Sequence, residues 1–127
     1  MRQGERSVLV VDDYSTMRRI MRNLLGQIGF QNIEEAEDGE SALKKLHEKS
    51  FDLVISDWNM MPMSGLELLR ELRADAQFHD MPFIMVTAAN ETKDVIAAKE
   101  AGVHYYIVKP FTAETLRKKI ETVLSAA

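Results

Sequence analysis

Val8-Leu9-Val10-Val11-Asp12-Asp13 is a short apolar run that ends in two carboxylates. After it, apolar side chains recur at three- and four-residue spacings, at Met17, Ile20, Met21, Leu24, Leu25 and Ile28. This spacing is typical of one face of an α-helix, and Gly29 is suited to end that helix. The stretch therefore predicts a buried strand followed by an amphipathic helix.

The same alternation of strand and helix patterns occurs five times along the chain. Further strands are predicted at residues 33–36, 51–56, 82–87 and 105–108, and further helices at 39–49, around 66–72, at 90–101 and around 116–124. Thr112 is predicted to cap the last helix. Alternating strands and helices favour a parallel sheet that is covered on both faces. We therefore predict an α/β fold, a flavodoxin-like doubly wound sheet of five parallel strands in the order 2-1-3-4-5, with five helices.

The composition limits the class of protein. The length of 127 residues fits a single domain, and 46% hydrophobic with 28% charged side chains is typical of globular proteins. The absence of cysteine excludes disulfides and thiolate metal sites. The net charge of −4 does not indicate nucleic-acid binding, and no apolar run approaches the ~20 residues that span a bilayer. We expect one domain over residues 1–127, a cytoplasmic monomer with no nucleic-acid or membrane partner.

Polar side chains follow four of the predicted strands. Asp12 and Asp13 follow the first strand, Asp57 ends the third, Thr87 ends the fourth, and Lys109 follows the fifth. In open α/β sheets, ligands bind outside the carboxyl ends of the strands, where the strand order reverses. We therefore expect three carboxylates, one hydroxyl and one ammonium group to face the same crevice.

Such a group of side chains indicates phosphoryl chemistry. Clustered carboxylates repel one another, and a hard cation such as Mg²⁺ removes that repulsion. An aspartate can act as a nucleophile and form an aspartyl phosphate, and phosphoryl transfer needs mainly positioning and charge neutralisation. Taken singly, each residue has an ordinary interpretation: Asp12 and Asp13 as a helix N-cap pair, Thr87 as a strand residue. Arg18, Arg19 and Arg22 are expected on a solvated helix face.

Longer stretches carry a specific resemblance. They are residues 9–13, 15–20, 55–60 and 108–112, and the match extends over essentially the whole chain. The chain resembles bacterial two-component response-regulator receiver domains, in particular the single-domain regulators of chemotaxis. The resemblance implies that Asp57 is phosphorylated, that Thr87 and Lys109 contact the phosphoryl oxygens, and that Thr87 and Tyr106 switch the domain between two states. It also implies a cis Lys109–Pro110 bond and a set of Mg²⁺ ligands: Asp12, Asp13, Asp57 and the backbone carbonyl of Asn59.

The resemblance also implies partners. A histidine kinase, of the CheA type, would donate the phosphoryl group, and output would come from binding the flagellar switch protein FliM or another protein. Val95, Tyr106 and Lys119 are the residues expected on the partner surface. A stand-alone receiver acting as a phosphate sink or a relay intermediate is the alternative. We expect a signalling switch and not an enzyme, with only self-catalysed phosphoryl transfer and autodephosphorylation.

Two positions depart from the family pattern. Met61 stands where a proline is usual, with Pro62 one residue later, and Ala89 stands where many relatives carry a larger polar residue. A metal-dependent phosphohydrolase with an Asp nucleophile is a further alternative. Haloacid-dehalogenase-like enzymes of that kind usually need Asp-x-Asp, and the Asp57-Trp58-Asn59 stretch lacks the second acid.

Overall fold

A computed structural model describes residues 5–58, 60–61, 63–87, 105–108 and 111–126; the side chains of residues 87, 105, 125 and 126 are outside this description. The strands are β1 (Ser7–Val11), β2 (Asn32–Ala36), β3 (Leu53–Asp57), β4 (Phe83–Thr87) and β5 (Tyr105–Val108). The helices are α1 (Ser15–Ile28), α2 (Gly39–Glu48), α3 (Gly65–Ala74) and α4 (Ala113–Ala126).

The five strands are all parallel and lie in the order β2-β1-β3-β4-β5, which confirms the predicted topology. The strand order reverses at β1, so that β1 and β3 are neighbours at the centre of the sheet. The carboxyl ends of β1, β3 and β4 therefore meet at one edge. This arrangement positions the site.

Alternate residues of each strand contribute to two separate apolar layers. In β1, Val8 and Val10 pack on one face of the sheet, and Leu9 and Val11 pack on the other. Because both layers are buried, the inner strands β1, β3 and β4 are apolar in nearly every position, whereas the edge strand β2 carries Asn32, Glu34 and Glu35. The unbroken apolar runs in the sequence therefore have a direct physical cause.

The helices cover both faces, as a doubly wound sheet requires. One layer takes its helical residues from α1 and α4, and the other takes them from α2 and α3. The fifth predicted helix, at residues 90–101, lies outside the described residues. Among the described residues no helix has the length and apolar character needed to cross a membrane.

The termini of the helices follow local chemistry. Gly29 ends α1 with a φ of 117°, a left-handed conformation that favours glycine. The Thr112 hydroxyl accepts a hydrogen bond from the Thr115 N–H at 3.2 Å, which confirms the predicted cap of α4. The N-cap of α1 is Tyr14, whose side chain forms no capping hydrogen bond. The interpretation of Asp12 and Asp13 as an N-cap pair is therefore wrong.

Candidate metal and phosphoryl site

Three carboxylates meet at the carboxyl edge of the sheet. Asp12 and Asp13 follow β1, and Asp57 is the last residue of β3. Each of them offers a carboxylate oxygen, and these three oxygens all lie within 4.8 Å of one another. Asp12 and Asp57 are buried and Asp13 is exposed, so the cluster opens to solvent on one side. The convergence predicted from the strand ends is present for these three residues.

The donor set fits a hard divalent cation. Magnesium binds oxygen ligands at about 2.1 Å, so ligands on opposite sides of the ion lie about 4.2 Å apart. No two of the three carboxylate oxygens are more than 4.8 Å apart, and the exposed side chain of Asp13 can rotate to adjust its distance from the other two. All three donors are carboxylates, and hard cations select such oxygens over softer ligands.

The backbone and side chain of Asp12 are both held. Its N–H donates to the Ala36 carbonyl at 3.1 Å, and its Oδ1 accepts from the Tyr14 N–H at 2.9 Å. Its carbonyl accepts from Nη1 of Arg18 at 2.7 Å. Because three contacts come from three different segments, the orientation of this carboxylate is set by the fold around it.

The backbone at and just after Asp57 is held by hydrogen bonds to neighbouring elements. The Ser56 hydroxyl donates to the Asp57 carbonyl at 3.0 Å, and Ser56 is fully buried. The following residue, Trp58, donates its N–H to the Val86 carbonyl at 2.9 Å, and its own carbonyl accepts from the Gly65 N–H at 2.9 Å. The chain after Asp57 is thereby tied to β4 on one side and to the start of α3 on the other.

Gly65 is a site residue that sequence reasoning missed. A Cβ atom at this position would lie 2.2 Å from the Asp57 carbonyl oxygen and 2.8 Å from the Met85 sulfur. The sequence signal at this place is Ser64, because serine is favoured at an N-cap and marks the start of a helix, but the need for a glycine at residue 65 follows only from its approach to β3. Ser64 does form a capping box with Glu67, in which each side chain binds the other residue's backbone N–H.

An ion-pair network on the β2 side of the cluster was also missed. Glu35 accepts from Nε of Arg18 and from Nε of Arg22, each at 3.0 Å. Burial alone would raise the pKa of Glu35, but the hydrogen bonds from Arg22 and Arg18 outweigh it and lower this pKa. The expectation of a solvated arginine face is wrong for Arg18, whose side chain is only 17% exposed, whereas Arg19 and Arg22 are exposed as expected.

The remaining predicted site residues are only partly described. Thr87 ends β4 opposite Val108, at the expected edge of the sheet, and its side chain is outside the description. Tyr106 is half-buried and packs against the apolar layer under α2 and α3. Lys119 is half-buried on α4, which covers the opposite face. Six residues singled out in the sequence lie outside the described part of the chain: Asn59, Pro62, Ala89, Val95, Lys109 and Pro110.

The two consecutive methionines in the loop after β3, Met60 and Met61, differ in exposure. The Met60 side chain is buried in the layer under α2 and α3, whereas Met61 is 79% exposed. The sequence departure at Met61 therefore leaves an apolar side chain in solvent, in the loop that directly follows Asp57.

A family model described as the response regulator receiver domain matches residues 8–121. The chain is 51% identical over 116 residues to the chemotaxis protein CheY of Pseudomonas aeruginosa, covering 91% of this chain and 94% of that protein. It is 49% identical over 116 residues to chemotaxis protein CheY-3 of Vibrio cholerae, covering 91% and 89%.

Solved structures have the same fold. The chemotaxis protein CheY4 of Vibrio cholerae superposes with a TM-score of 0.87 at 35% identity, covering 94% of this chain and 98% of that one. A putative response regulator from Chloroflexus aurantiacus superposes with a TM-score of 0.89 at 28% identity, with the same coverage. Both agree with the doubly wound sheet described above.

Proposed function

We propose that this chain, which belongs to the response regulator receiver domain family, is a phosphorylation-activated switch in which Asp57 accepts a phosphoryl group with the help of Mg²⁺. The observation that carries the proposal is the convergence of Asp12, Asp13 and Asp57 within 4.8 Å at the carboxyl edge of β1 and β3. The three carboxylates repel one another without a cation, and a bound divalent cation removes that repulsion and can also bind phosphoryl oxygens.

Asp57 is the proposed nucleophile because it lies at the centre of the sheet edge and its backbone is tied on both sides. Asp12, Asp13, Asp57 and the backbone carbonyl of Asn59 are the proposed Mg²⁺ ligands. When bound, Mg²⁺ neutralises the charge of the carboxylates and of the phosphoryl oxygens. One carboxylate oxygen of Asp57 forms the new bond to phosphorus, and the bond to the donor breaks.

Thr87 and Lys109 are proposed to contact the phosphoryl oxygens. Thr87 ends β4, the strand that pairs with β3 beside Asp57, and Lys109 directly follows β5. Their hydroxyl and ammonium groups would supply neutral and charged hydrogen bonds to the equatorial oxygens. A phosphate at Asp57 would then favour one of two states of Thr87 and Tyr106, which is a population shift and not a new fold.

We propose a histidine kinase of the CheA type as the phosphoryl donor and the flagellar switch protein FliM as the target. The similarity to CheY proteins named for chemotaxis supports this choice. Val95, Tyr106 and Lys119 are the proposed partner surface, and the cytoplasm is the proposed location. A phosphate sink or a relay intermediate is the alternative role, and it would show phosphorylation without phosphate-dependent binding of FliM.

Trp58 provides a direct test because it follows Asp57 and is half-buried against the apolar layer under α2 and α3. We expect Mg²⁺ with acetyl phosphate, or with a beryllofluoride mimic, to change its fluorescence. Asp57→Asn should abolish the change caused by phosphorylation, and Asp52→Asn, at the opposite end of β3, should retain it. An unchanged acetyl-phosphate response in Asp57→Asn would rule out this residue as the nucleophile.

A binding assay separates the proposed outputs. A FliM N-terminal peptide should bind more tightly in the presence of the beryllofluoride mimic than in its absence. Equal binding with and without the mimic would contradict the motor-switch role and favour the sink or relay role.

A further inference from the structure

We propose that Arg18 is a positioning residue that fixes the backbone of Asp12 and thereby the orientation of its carboxylate toward the bound cation. This inference rests on the proposed function, because it assigns Arg18 a role in the same metal site. Arg18 lies at the end of the first turn of α1 and does not itself belong to the carboxylate cluster.

The Arg18 side chain bridges two points. Its Nη1 donates to the Asp12 carbonyl at 2.7 Å, and its Nε donates to Oε1 of Glu35 at 3.0 Å. The side chain is only 17% exposed, so these hydrogen bonds are made in a partly desolvated place. A planar guanidinium can satisfy both acceptors at once, whereas the single ammonium group of a lysine is a compact point charge.

Glu35, the second acceptor of the Arg18 side chain, is itself held in place by other hydrogen bonds. Oε2 of Glu35 accepts from Nε of Arg22 at 3.0 Å, and Nη2 of Arg22 donates to the Ile33 carbonyl at 2.9 Å. Glu35 belongs to β2, which pairs with β1 in the sheet. The network therefore fastens α1 to β2 and holds the Arg18 guanidinium over the end of β1.

This placement determines how Asp12 is presented. The residue sits in the turn between β1 and α1, where its Oδ1 accepts from the Tyr14 N–H at 2.9 Å. If the Asp12 carbonyl loses Arg18, the peptide plane between Asp12 and Asp13 gains freedom to rotate. Both carboxylates flank that peptide, so the rotation would disturb two members of the cluster.

The loss of Arg18 has two opposing effects on the affinity of the carboxylate cluster for Mg²⁺, one from its charge and one from its positioning of Asp12. Removing a cation near three carboxylates would by itself strengthen the attraction of the cluster for Mg²⁺. Losing a group that orients a ligand residue weakens metal binding, commonly by about 10- to 100-fold for residues that contact a ligand side chain directly. Arg18 contacts a backbone carbonyl, so we expect a weakening nearer the lower end, of about 10-fold.

The test compares Arg18→Met with Arg19→Met, which removes the same charge from the exposed neighbouring position. Mg²⁺ titration followed by Trp58 fluorescence should give a Kd about 10-fold weaker in Arg18→Met than in the parent, with little change in Arg19→Met. Arg18→Lys should restore the charge without restoring the Kd. An unchanged or tighter Kd in Arg18→Met would overturn the proposal.

A measurement without metal keeps this result separate from the proposed function. The Tyr14 N–H, which donates to Asp12, should exchange with deuterium several-fold faster in Arg18→Met than in Arg19→Met at matched stability. Glu35→Gln should show a smaller acceleration, and it also serves if Arg18→Met does not fold. Failure of the parent to bind Mg²⁺ would contradict the proposed function. Equal Tyr14 exchange rates in the Arg18, Arg19 and Glu35 variants would instead overturn the positioning role of Arg18.

Discussion

Gly65 lies directly against the backbone of Asp57. A Cβ atom at residue 65 would be 2.2 Å from the Asp57 carbonyl oxygen, well inside van der Waals contact. The same glycine donates its N–H to the Trp58 carbonyl at 2.9 Å. The start of α3 and the end of β3 can therefore approach each other only because residue 65 has no side chain.

Gly65→Ala should destabilise the protein by about 1–3 kcal/mol, the usual cost of forcing an extra carbon into a packed site. The obstacle is backbone, so it cannot rotate away as a flexible side chain would. Urea denaturation followed by circular dichroism measures the free energy of unfolding. The displaced Asp57 should also bind Mg²⁺ less tightly in a Trp58 fluorescence titration.

The matched control is Gly26→Ala, in the last turn of α1. A Cβ there meets no atom within 4 Å, and alanine is favoured over glycine in a helix by about 0.5–1 kcal/mol. This variant should therefore be more stable than the parent. A similar destabilisation in both variants would show that close packing at Gly65 is not the cause.

Asp13→Asn should stabilise the metal-free protein and reduce its response to Mg²⁺. The exposed Asp13 carboxylate lies close to the two buried ones, and its neutralisation removes like-charge repulsion of about 0.5–1 kcal/mol. Thermal unfolding with EDTA and with Mg²⁺ measures both effects. Asp80→Asn, an exposed acid whose side chain pairs with His79, is the control. A parent melting temperature that is the same in EDTA and in Mg²⁺ would contradict the prediction.

The Arg18–Glu35–Arg22 network should make stability depend on pH. The pKa of Glu35 is lowered from 4.5 in the folded protein, so its ion pairs stabilise the fold above that value. The stabilisation is lost as the pH falls through the folded-state pKa and Glu35 becomes protonated.

The measurement is the difference in unfolding free energy between the parent and Glu35→Gln. It should be about 0.5–1 kcal/mol at pH 7 and should shrink toward zero below the lowered pKa. Glu48→Gln, an exposed position at the end of α2, is the control. A difference for Glu35→Gln that stays constant into strong acid would exclude the ion pairs as its origin.

Ser64→Ala should destabilise the protein by about 1 kcal/mol through loss of the N-cap of α3. The Ser64 hydroxyl accepts from the Glu67 N–H at 3.1 Å, and alanine leaves that donor without its partner. Glu67→Gln should cost less, because an amide oxygen still accepts from the Ser64 N–H. Urea denaturation distinguishes them, and an equal loss in both variants would argue against the capping box.

The fold was predictable because its signals are local. The apolar runs of the strands and the i, i+3, i+4 pattern of α1 are short-range features that burial on two faces imposes on the sequence. Strand ends could be located to within a residue or two, which was enough to place Asp12, Asp13 and Asp57 at one edge. The side chains that hold these residues could not be predicted in the same way, because their partners lie on other elements.

The sequence alone determined the alternation of strands and helices, and from it the edge at which three carboxylates collect. It could do so because the end of each strand is marked by local residues, and the helix pattern between successive strands indicates that they are parallel. Only the tertiary structure showed that Arg18 donates to both the Asp12 carbonyl and Glu35. It also showed that residue 65 must be a glycine because the Asp57 backbone lies against it. Such contacts join residues on different elements, and their distances depend on how those elements pack.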